Sequence, residues 1–201
     1  ALHYANLYAG CHYYYLNKKW DDASRFLRMY VDAYTSEIWM PGHRPEAQKR
    51  RLRCAYLYAK CAYWKKAYQD VFRYKDLLLA DSVLRKPALE YMAASSVAMG
   101  DTAAYVSYLQ QGLNDYPLHT FFFSNMEDYY MQRGKHAEAL ALAEKMLKID
   151  STNVRFLEGK SLALLNLRRY RESIAASLKC LAVNDSLPMP YYYIGACYCN
   201  L

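Results

Sequence analysis

Cysteine and histidine are the side chains of this sequence that could bind a metal, react with an oxidant or act as nucleophiles. The chain has 6 Cys and 5 His. The cysteines form no C-x-x-C pair, have no His at metal-ligand spacing and lie in apolar stretches with helical spacing. We therefore predict packed thiols, no bound metal and no disulfide framework, and the thiols do not fix the compartment. The cysteines are Cys11, Cys54, Cys61, Cys180, Cys197 and Cys199.

The histidines are scattered along the chain, and none stands beside a Ser or Cys nucleophile in a recognisable signature. The sequence also lacks the glycine patterns of phosphate-binding and dinucleotide-binding loops. It therefore predicts a protein that is not an enzyme and that uses no cofactor. The histidines are His3, His12, His43, His119 and His136.

Basic residues are concentrated in the first half of the chain. Residues 1–86 contain 16 Lys and Arg against 8 Asp and Glu, whereas residues 87–201 contain 10 against 11. Cations between positions 44 and 53 precede Tyr56, so they could contact phosphates while rings stack on bases. In the competing interpretation, Lys49 and Arg53 share one solvated helix edge. Nucleic-acid association is therefore an alternative function and not the leading one.

The overall composition favours helices. Only 7 Gly and 6 Pro occur against 23 Tyr, which argues against a turn-rich β-sandwich and for helices packed through aromatic rings. Apolar residues make up 54% of the chain but never run uninterrupted for the roughly eighteen positions of a membrane-spanning helix. We therefore expect a soluble all-α protein.

A repeat of 34 residues organises much of the sequence. Similar segments close one unit at Met146 and the next at Cys180. Short turn segments that begin at Met99, Arg133 and Leu167 follow the same interval, and each stands between two amphipathic stretches. The pattern predicts successive antiparallel helical hairpins.

The repeat resembles the tetratricopeptide family, in which the first helix carries W-x2-L-G-x2-Y and the second carries A-x3-F. In the last partial unit, Tyr191, Ile194, Gly195 and Tyr198 occupy the four positions of the first helix. The resemblance implies an all-α, right-handed solenoid of antiparallel helical hairpins. Turns followed by a second-helix Ala lie at residues 20–23, 64–67 and 136–139.

We interpret residues 1–201 as one such solenoid with two insertions, at residues 38–47 and 82–85. The first insertion contains Met40 to Pro45, where two prolines and a glycine predict a surface loop. The predicted units are residues 4–37, 48–81, 86–119, 120–153 and 154–187, followed by the half-unit 188–201.

Small side chains occupy positions where the family's helices pack closely. Cys11, Ala55 and Ala93 stand at the small position of the first helix in their units. Glu127 departs from the pattern at such a position, and Tyr74 stands where the second helix usually has Ala. We expect altered local packing at both residues.

The resemblance also implies that the first helices line a concave groove in which ligands lie. The groove would begin aromatic and basic and then become mixed, which suits an extended peptide or a helix with an apolar stripe and some acidic residues. The chain is thus predicted to be a protein-binding or peptide-binding scaffold, although the sequence names no particular partner. The candidate groove residues are Tyr8, His12, Tyr15, Lys49, Leu52, Tyr56, Lys60, Glu90, Phe121, Ser124, Asp128 and Met131.

Two further expectations concern the choice of partner. No unit has the Lys and Asn pair with which some family members clamp a terminal carboxylate, so binding of a chaperone tail in that manner is disfavoured. The sequence stops midway through a unit, at residues 200–201, which leaves one first helix without its partner. Either the natural chain continues, which we prefer, or this helix supports self-association.

Overall fold

The computed structural model describes residues 2–33 and 44–201. Within these ranges the chain forms eleven α-helices and one 3-10 helix, and no strand. The prediction of an all-α fold is therefore confirmed. The helices are α1 (Leu2–Leu16), α2 (Trp20–Asp32), α3 (Arg44–Trp64), the 3-10 helix (Tyr68–Phe72), α4 (Lys75–Leu79), α5 (Arg85–Ala98), α6 (Thr102–Asp115), α7 (Thr120–Gln132), α8 (His136–Leu147), α9 (Val154–Asn166), α10 (Tyr170–Val183) and α11 (Pro188–Tyr198).

The helices divide into two compact units, residues 1–108 and residues 109–201. In the first unit, α2 packs against both α1 and α3, and the core consists mainly of small and medium side chains. In the second unit, α9 packs against α8 and α10, and α11 packs on α10. Organisation as a single solenoid stays a prediction.

Five helices end in the same backbone motif. The residue that closes each turn has φ between +56° and +77°, in the left-handed region. The N–H of the next residue donates to the carbonyl oxygen five residues earlier, with N···O distances of 2.9–3.0 Å. This pair of features satisfies carbonyl groups that a helix end leaves free. The left-handed residues are Lys18, Lys66, Gly100, Gly134 and Arg168.

These turns give a structural register for the repeat. Lys66, Gly100, Gly134 and Arg168 follow one another at intervals of 34 residues, whereas Lys18 precedes Lys66 by 48. The additional residues therefore lie between the first two turns, where α3 has 21 residues and α1 has 15. The interval from Lys66 to Gly100 is the ordinary 34 residues. It is therefore not lengthened by an insertion, although the sequence predicts one at residues 82–85. The exact unit boundaries stay a prediction.

In the hairpin whose first helix is α3, the second helix is broken. A 3-10 helix and the short α4 stand where the resemblance implies one continuous helix. The break lies at Tyr74, whose hydroxyl donates a hydrogen bond to Asp32 Oδ1 at 2.6 Å. The same ring meets Tyr58 edge to face, with centroids 5.3 Å apart. The side chain that replaces the usual alanine thus contacts two other helices at the point where the helix is interrupted.

The loop predicted around the two prolines lies mostly outside the described residues. Residues 38–43 are not among them, and Arg44–Ala47 form the first turn of α3 instead of a loop. Proline is tolerated in the first turn of a helix because that N–H has no intrahelical partner. The helix can therefore begin at Arg44, one residue before the last proline of the segment.

Small residues allow close helix packing in both units. Cys11, Ala55 and Ala93 are all fully buried, as the repeat pattern predicts. In the second unit, the hydroxyl of Ser173 on α10 donates to the carbonyl oxygen of Ser161 on α9 at 2.8 Å. Such side chains let two helix backbones approach while their polar atoms are satisfied.

Candidate functional site

Lys60 lies at the centre of an aromatic group in the first unit. Its ammonium nitrogen is 5.4 Å from the ring centroid of Tyr15 on α1 and 5.7 Å from that of Tyr56 on α3. A side-chain hydrogen bond with Tyr15 raises the pKa of Lys60, and this effect exceeds the lowering caused by burial. A positive charge is therefore held against two ring faces that stay partly open to solvent.

Further tyrosines extend this group toward α5. Tyr91 meets Tyr56 and Tyr63 edge to face, with centroids 6.1 Å and 5.3 Å apart. Burial is the largest cause that raises the pKa of Tyr56 and of Tyr91, so both phenols stay neutral hydrogen-bonding groups. We call Lys60, Tyr15, Tyr56, Tyr63 and Tyr91 the Lys60 cluster. All five side chains are half-buried.

A second aromatic contact on α1 involves Tyr8 and His12. Their ring centroids are 4.5 Å apart, and His12 Nδ1 lies 3.3 Å from the carbonyl oxygen of Tyr8. Tyr8 also contacts the buried ring of Tyr30 at 5.6 Å, and the guanidinium of Arg50 lies 5.5 Å from the Tyr8 centroid. Burial raises the pKa of Tyr30 to about 12. Tyr8 therefore packs partly on the core, and the rest of its side chain is exposed to solvent.

The remaining predicted residues of the first unit are less closely joined to the cluster. Lys49 is exposed and Leu52 is half-buried, and both lie on the first half of α3. Both residues precede Tyr56 and Lys60 on this helix and are therefore farther along the chain from the turn at Lys66. Glu90 on α5 is half-buried, and its charge contributes to raising the pKa of Tyr56.

Two of the clustered cations on α3 make contacts within the protein. Arg50 Nε lies 3.5 Å from Glu46 Oε1, one turn earlier on the helix. Arg51 Nε donates to the carbonyl oxygen of Val31 at 3.3 Å. Lys49 and Arg53 are exposed. The basic residues of α3 therefore have two kinds of surroundings. Arg50 and Arg51 make contacts within the fold, whereas Lys49 and Arg53 are solvated.

In the second unit, the predicted Ser124 forms part of a polar contact between α7 and α9. Its hydroxyl accepts a hydrogen bond from Arg155 Nε at 3.1 Å. Arg155 also forms an ion pair with Glu127, and its guanidinium lies 5.5 Å from the ring centroid of Phe123. Glu127 is only 1% exposed, and burial raises its pKa although Arg155 acts in the opposite direction. Gly159 faces this carboxylate and leaves the space that it occupies.

The other predicted residues of α7 have different surroundings. Asp128 is exposed, whereas Phe121 is half-buried and meets Phe122 edge to face at 5.4 Å. Met131 packs against the core cluster that contains Leu140. Of these three residues, Asp128 has the most exposed side chain.

Several residues of these surfaces were missed from the sequence. Tyr63 stands three residues before the turn at Lys66, as Tyr15 stands three residues before the turn at Lys18. Counting from the turns would therefore have found Tyr63. Tyr91 and Arg155 gave no comparable signal, because their importance comes from contacts with other helices.

The cysteines confirm the prediction of packed thiols at five positions. Cys199, however, is exposed, because it follows the last turn of α11. Burial raises the pKa of Cys61 to about 12 and that of Cys180 to about 11. The pKa of Cys54 is also raised, chiefly by a hydrogen bond with Cys11. These thiols are therefore poor nucleophiles at neutral pH.

The described residues include neither a candidate metal site nor a candidate membrane-spanning helix. They bring no three His, Cys, Asp or Glu side chains together as a metal site would require. Among their helices, none combines the length and the apolar character needed to cross a bilayer.

On α11, Tyr191, Tyr192 and Tyr198 are each more than half exposed. These tyrosines lie on the helix for which self-association is the alternative to a chain that continues.

Comparison with known proteins identifies the fold. No protein-family model matches the sequence, and no curated protein matches it significantly. The crystal structure of MamA protein matches with a TM-score of 0.61 and 12% identity, over 90% of this chain and 92% of that one. A second MamA structure (AMB-1) matches with a TM-score of 0.51 and 19% identity, over 76% and 81%. The chain therefore has a helical repeat fold of the tetratricopeptide type, as its sequence predicts.

Proposed function

We propose that this protein is a non-enzymatic scaffold that binds a protein or peptide on the first helices of its hairpins. The observation that carries the proposal is the Lys60 cluster. A single ammonium group lies against two half-buried rings, and two more tyrosines continue the surface. Tyrosine is among the side chains that are enriched at protein interfaces and that dominate binding energy there.

The surroundings of the cluster favour a partner with apolar and acidic side chains. Lys60 offers hydrogen-bond donors and a positive charge, while Tyr56 and Tyr91 offer ring surface for apolar groups. Tyr8 and His12 lie on the same helix as Tyr15 and would extend the contact. In the second unit, we propose that Ser124 and the exposed Asp128 contribute polar contacts.

Affinity capture from a cell extract tests this proposal. Purified protein is compared with Lys60→Glu, which reverses the charge between the rings. Lys179→Glu is the matched control, because it makes the same charge change at an exposed position on α10. We expect Lys60→Glu to lose at least one specific partner that Lys179→Glu retains.

Two outcomes of that comparison contradict the proposal. If both variants recover the same proteins in the same amounts as the unmodified chain, the Lys60 cluster is not the binding surface. If nuclease treatment of the extract abolishes recovery, the contact depends on nucleic acid. Far-UV circular dichroism of both variants confirms that the helices are intact.

A further inference from the structure

One position of the repeat differs in size between hairpins. It lies in the second helix, eight residues after the left-handed residue of the turn. In two hairpins of the first unit a ring at this position contacts the second helix of the preceding hairpin. The hydroxyl of Tyr74 donates to Asp32 Oδ1 on α2 at 2.6 Å. The ring of Tyr108 on α6 stacks on Phe72 with centroids 5.9 Å apart. The residues at this position are, in chain order, Phe26, Tyr74, Tyr108, Leu142 and Ala176.

In the second unit, a cavity of about 330 Å³ lies beside Ala176, with walls from α8, α9 and α10. Its inner wall is apolar, because Leu157 and Ala176 are only 4% and 5% exposed and Leu147 is half-buried. An apolar cavity of about 150 Å³ is large enough to bind benzene. The cavity therefore has room for one aromatic ring where α10 itself contributes only a methyl group.

The mouth of the cavity is polar, and most of its charges are already paired. Lys160 Nζ lies 2.8 Å from Glu144 Oε1, and Arg169 donates two hydrogen bonds to Glu172 at 2.7 Å and 2.8 Å. An uncharged ring that enters the cavity removes apolar surface from water and leaves both ion pairs in place. A charged side chain would have to be desolvated there, which costs free energy. The cavity thus favours an aromatic occupant over a charged one.

We propose that this cavity receives an aromatic side chain, phenylalanine or tyrosine, from a protein partner. The partner's ring takes the place beside α8 and α10 that corresponds to the place of Tyr74 and Tyr108 in their hairpins. A ring that fills a pocket is the kind of anchor that dominates the binding energy of an interface. This contact lies away from the Lys60 cluster, so the inference goes beyond the proposed function and does not rest on it.

NMR spectroscopy of the full chain with ¹³C-labelled Leu and Ala methyl groups tests the inference. The probe is the peptide acetyl-Gly-Ser-Tyr-Ser-Gly-amide, and the comparison peptide has Ala in place of Tyr. We expect the tyrosine peptide to shift the methyl signals of Leu147, Leu157 and Ala176. Its affinity should be at least about tenfold higher than that of the alanine peptide, because the ring is removed from water.

Substitutions within the cavity should block the peptide. Ala176→Tyr supplies the ring from within the chain and should weaken binding of the tyrosine peptide at least about tenfold. Because Ala176 is buried and a larger side chain there can interfere with folding, Ala175→Leu is a second variant at an exposed position of the cavity wall. It should weaken binding at least about threefold by filling part of the space. Ala182→Leu, at an exposed position of α10 outside the cavity, is the matched control and should leave binding unchanged.

The inference is overturned if both peptides shift the cavity methyl signals equally, or if neither shifts them at millimolar concentration. It is also overturned if Ala175→Leu binds the tyrosine peptide as tightly as Ala182→Leu does. Lys60→Glu should leave this titration unchanged. Lys179→Glu alters the mouth of the cavity but not the Lys60 cluster. Partner recovery from the extract and peptide binding at the cavity therefore test separate claims.

Discussion

Arg155→Met should destabilise the protein at pH 7.5, because it leaves the carboxylate of Glu127 buried without its counter-charge. Glu127 is 1% exposed and its Oε1 has no hydrogen-bond partner among the described residues. Removing one member of a buried ion pair costs about 3–5 kcal/mol, and because the side chain of Arg155 is 31% exposed we expect the lower part of this range.

The loss should depend on pH in a defined direction. Burial already raises the folded-state pKa of Glu127, and removing Arg155 takes away the group that lowers it. A carboxyl group whose folded pKa lies above its unfolded pKa contributes its full stability to the folded state at pH values below the unfolded pKa. Its stability contribution is lost as pH rises through the folded value. The destabilisation by Arg155→Met should therefore be smaller at pH 5 than at pH 7.5.

Urea unfolding followed by circular dichroism at 222 nm measures the effect at both pH values. Glu127→Gln in the Arg155→Met background should recover part of the stability at pH 7.5, because the amide has no charge to bury. The pH dependence should disappear in this double variant. Equal destabilisation at both pH values, or no recovery by Glu127→Gln, would refute the argument for a buried charge.

Three further predictions concern packing and thiol reactivity. Gly112→Ala should destabilise the protein by about 1 kcal/mol in urea unfolding, because overpacking against the buried Phe122 ring outweighs the gain in helix propensity; a more stable variant would contradict this. Tyr74→Phe should cost about 1 kcal/mol in the same assay through loss of the hydrogen bond to Asp32, and unchanged stability would show that the bond contributes nothing. A thiol reagent under native conditions should modify Cys199 rapidly and the other five cysteines only after unfolding, and rapid reaction of two or more thiols would disprove their burial.

The fold could be predicted from the sequence because its hairpin turns recur at a fixed spacing. Gly100 and Gly134 adopt the left-handed conformation that closes such turns, and Arg168 does so at the next position of the repeat. The sequence predicts altered packing at Tyr74 but not the interruption of the helix there, nor the contacts of Tyr74 with Asp32 and Tyr58 in other helices. Local sequence carries no record of such tertiary contacts.

Only some residues of the candidate site could be predicted from the sequence. The family pattern pointed to Tyr15, Tyr56 and Lys60, which the structure brings together. It did not indicate Tyr91, because the edge-to-face contact joins two helices whose relative rotation no sequence pattern specifies. Nor did it explain Glu127, whose burial is possible only because Gly159 leaves room for it.

Site-specific photo-crosslinking tests the central claim that partners bind at the Lys60 cluster. A photoreactive phenylalanine analogue replaces Tyr56 in one variant and Leu178, an exposed residue on α10, in a control. After irradiation in cell extract, the Tyr56 variant should give a discrete crosslinked species that Lys60→Glu removes, and the Leu178 variant should not give that species. Crosslinking from Leu178 to the same partner, with none from Tyr56, would contradict the account.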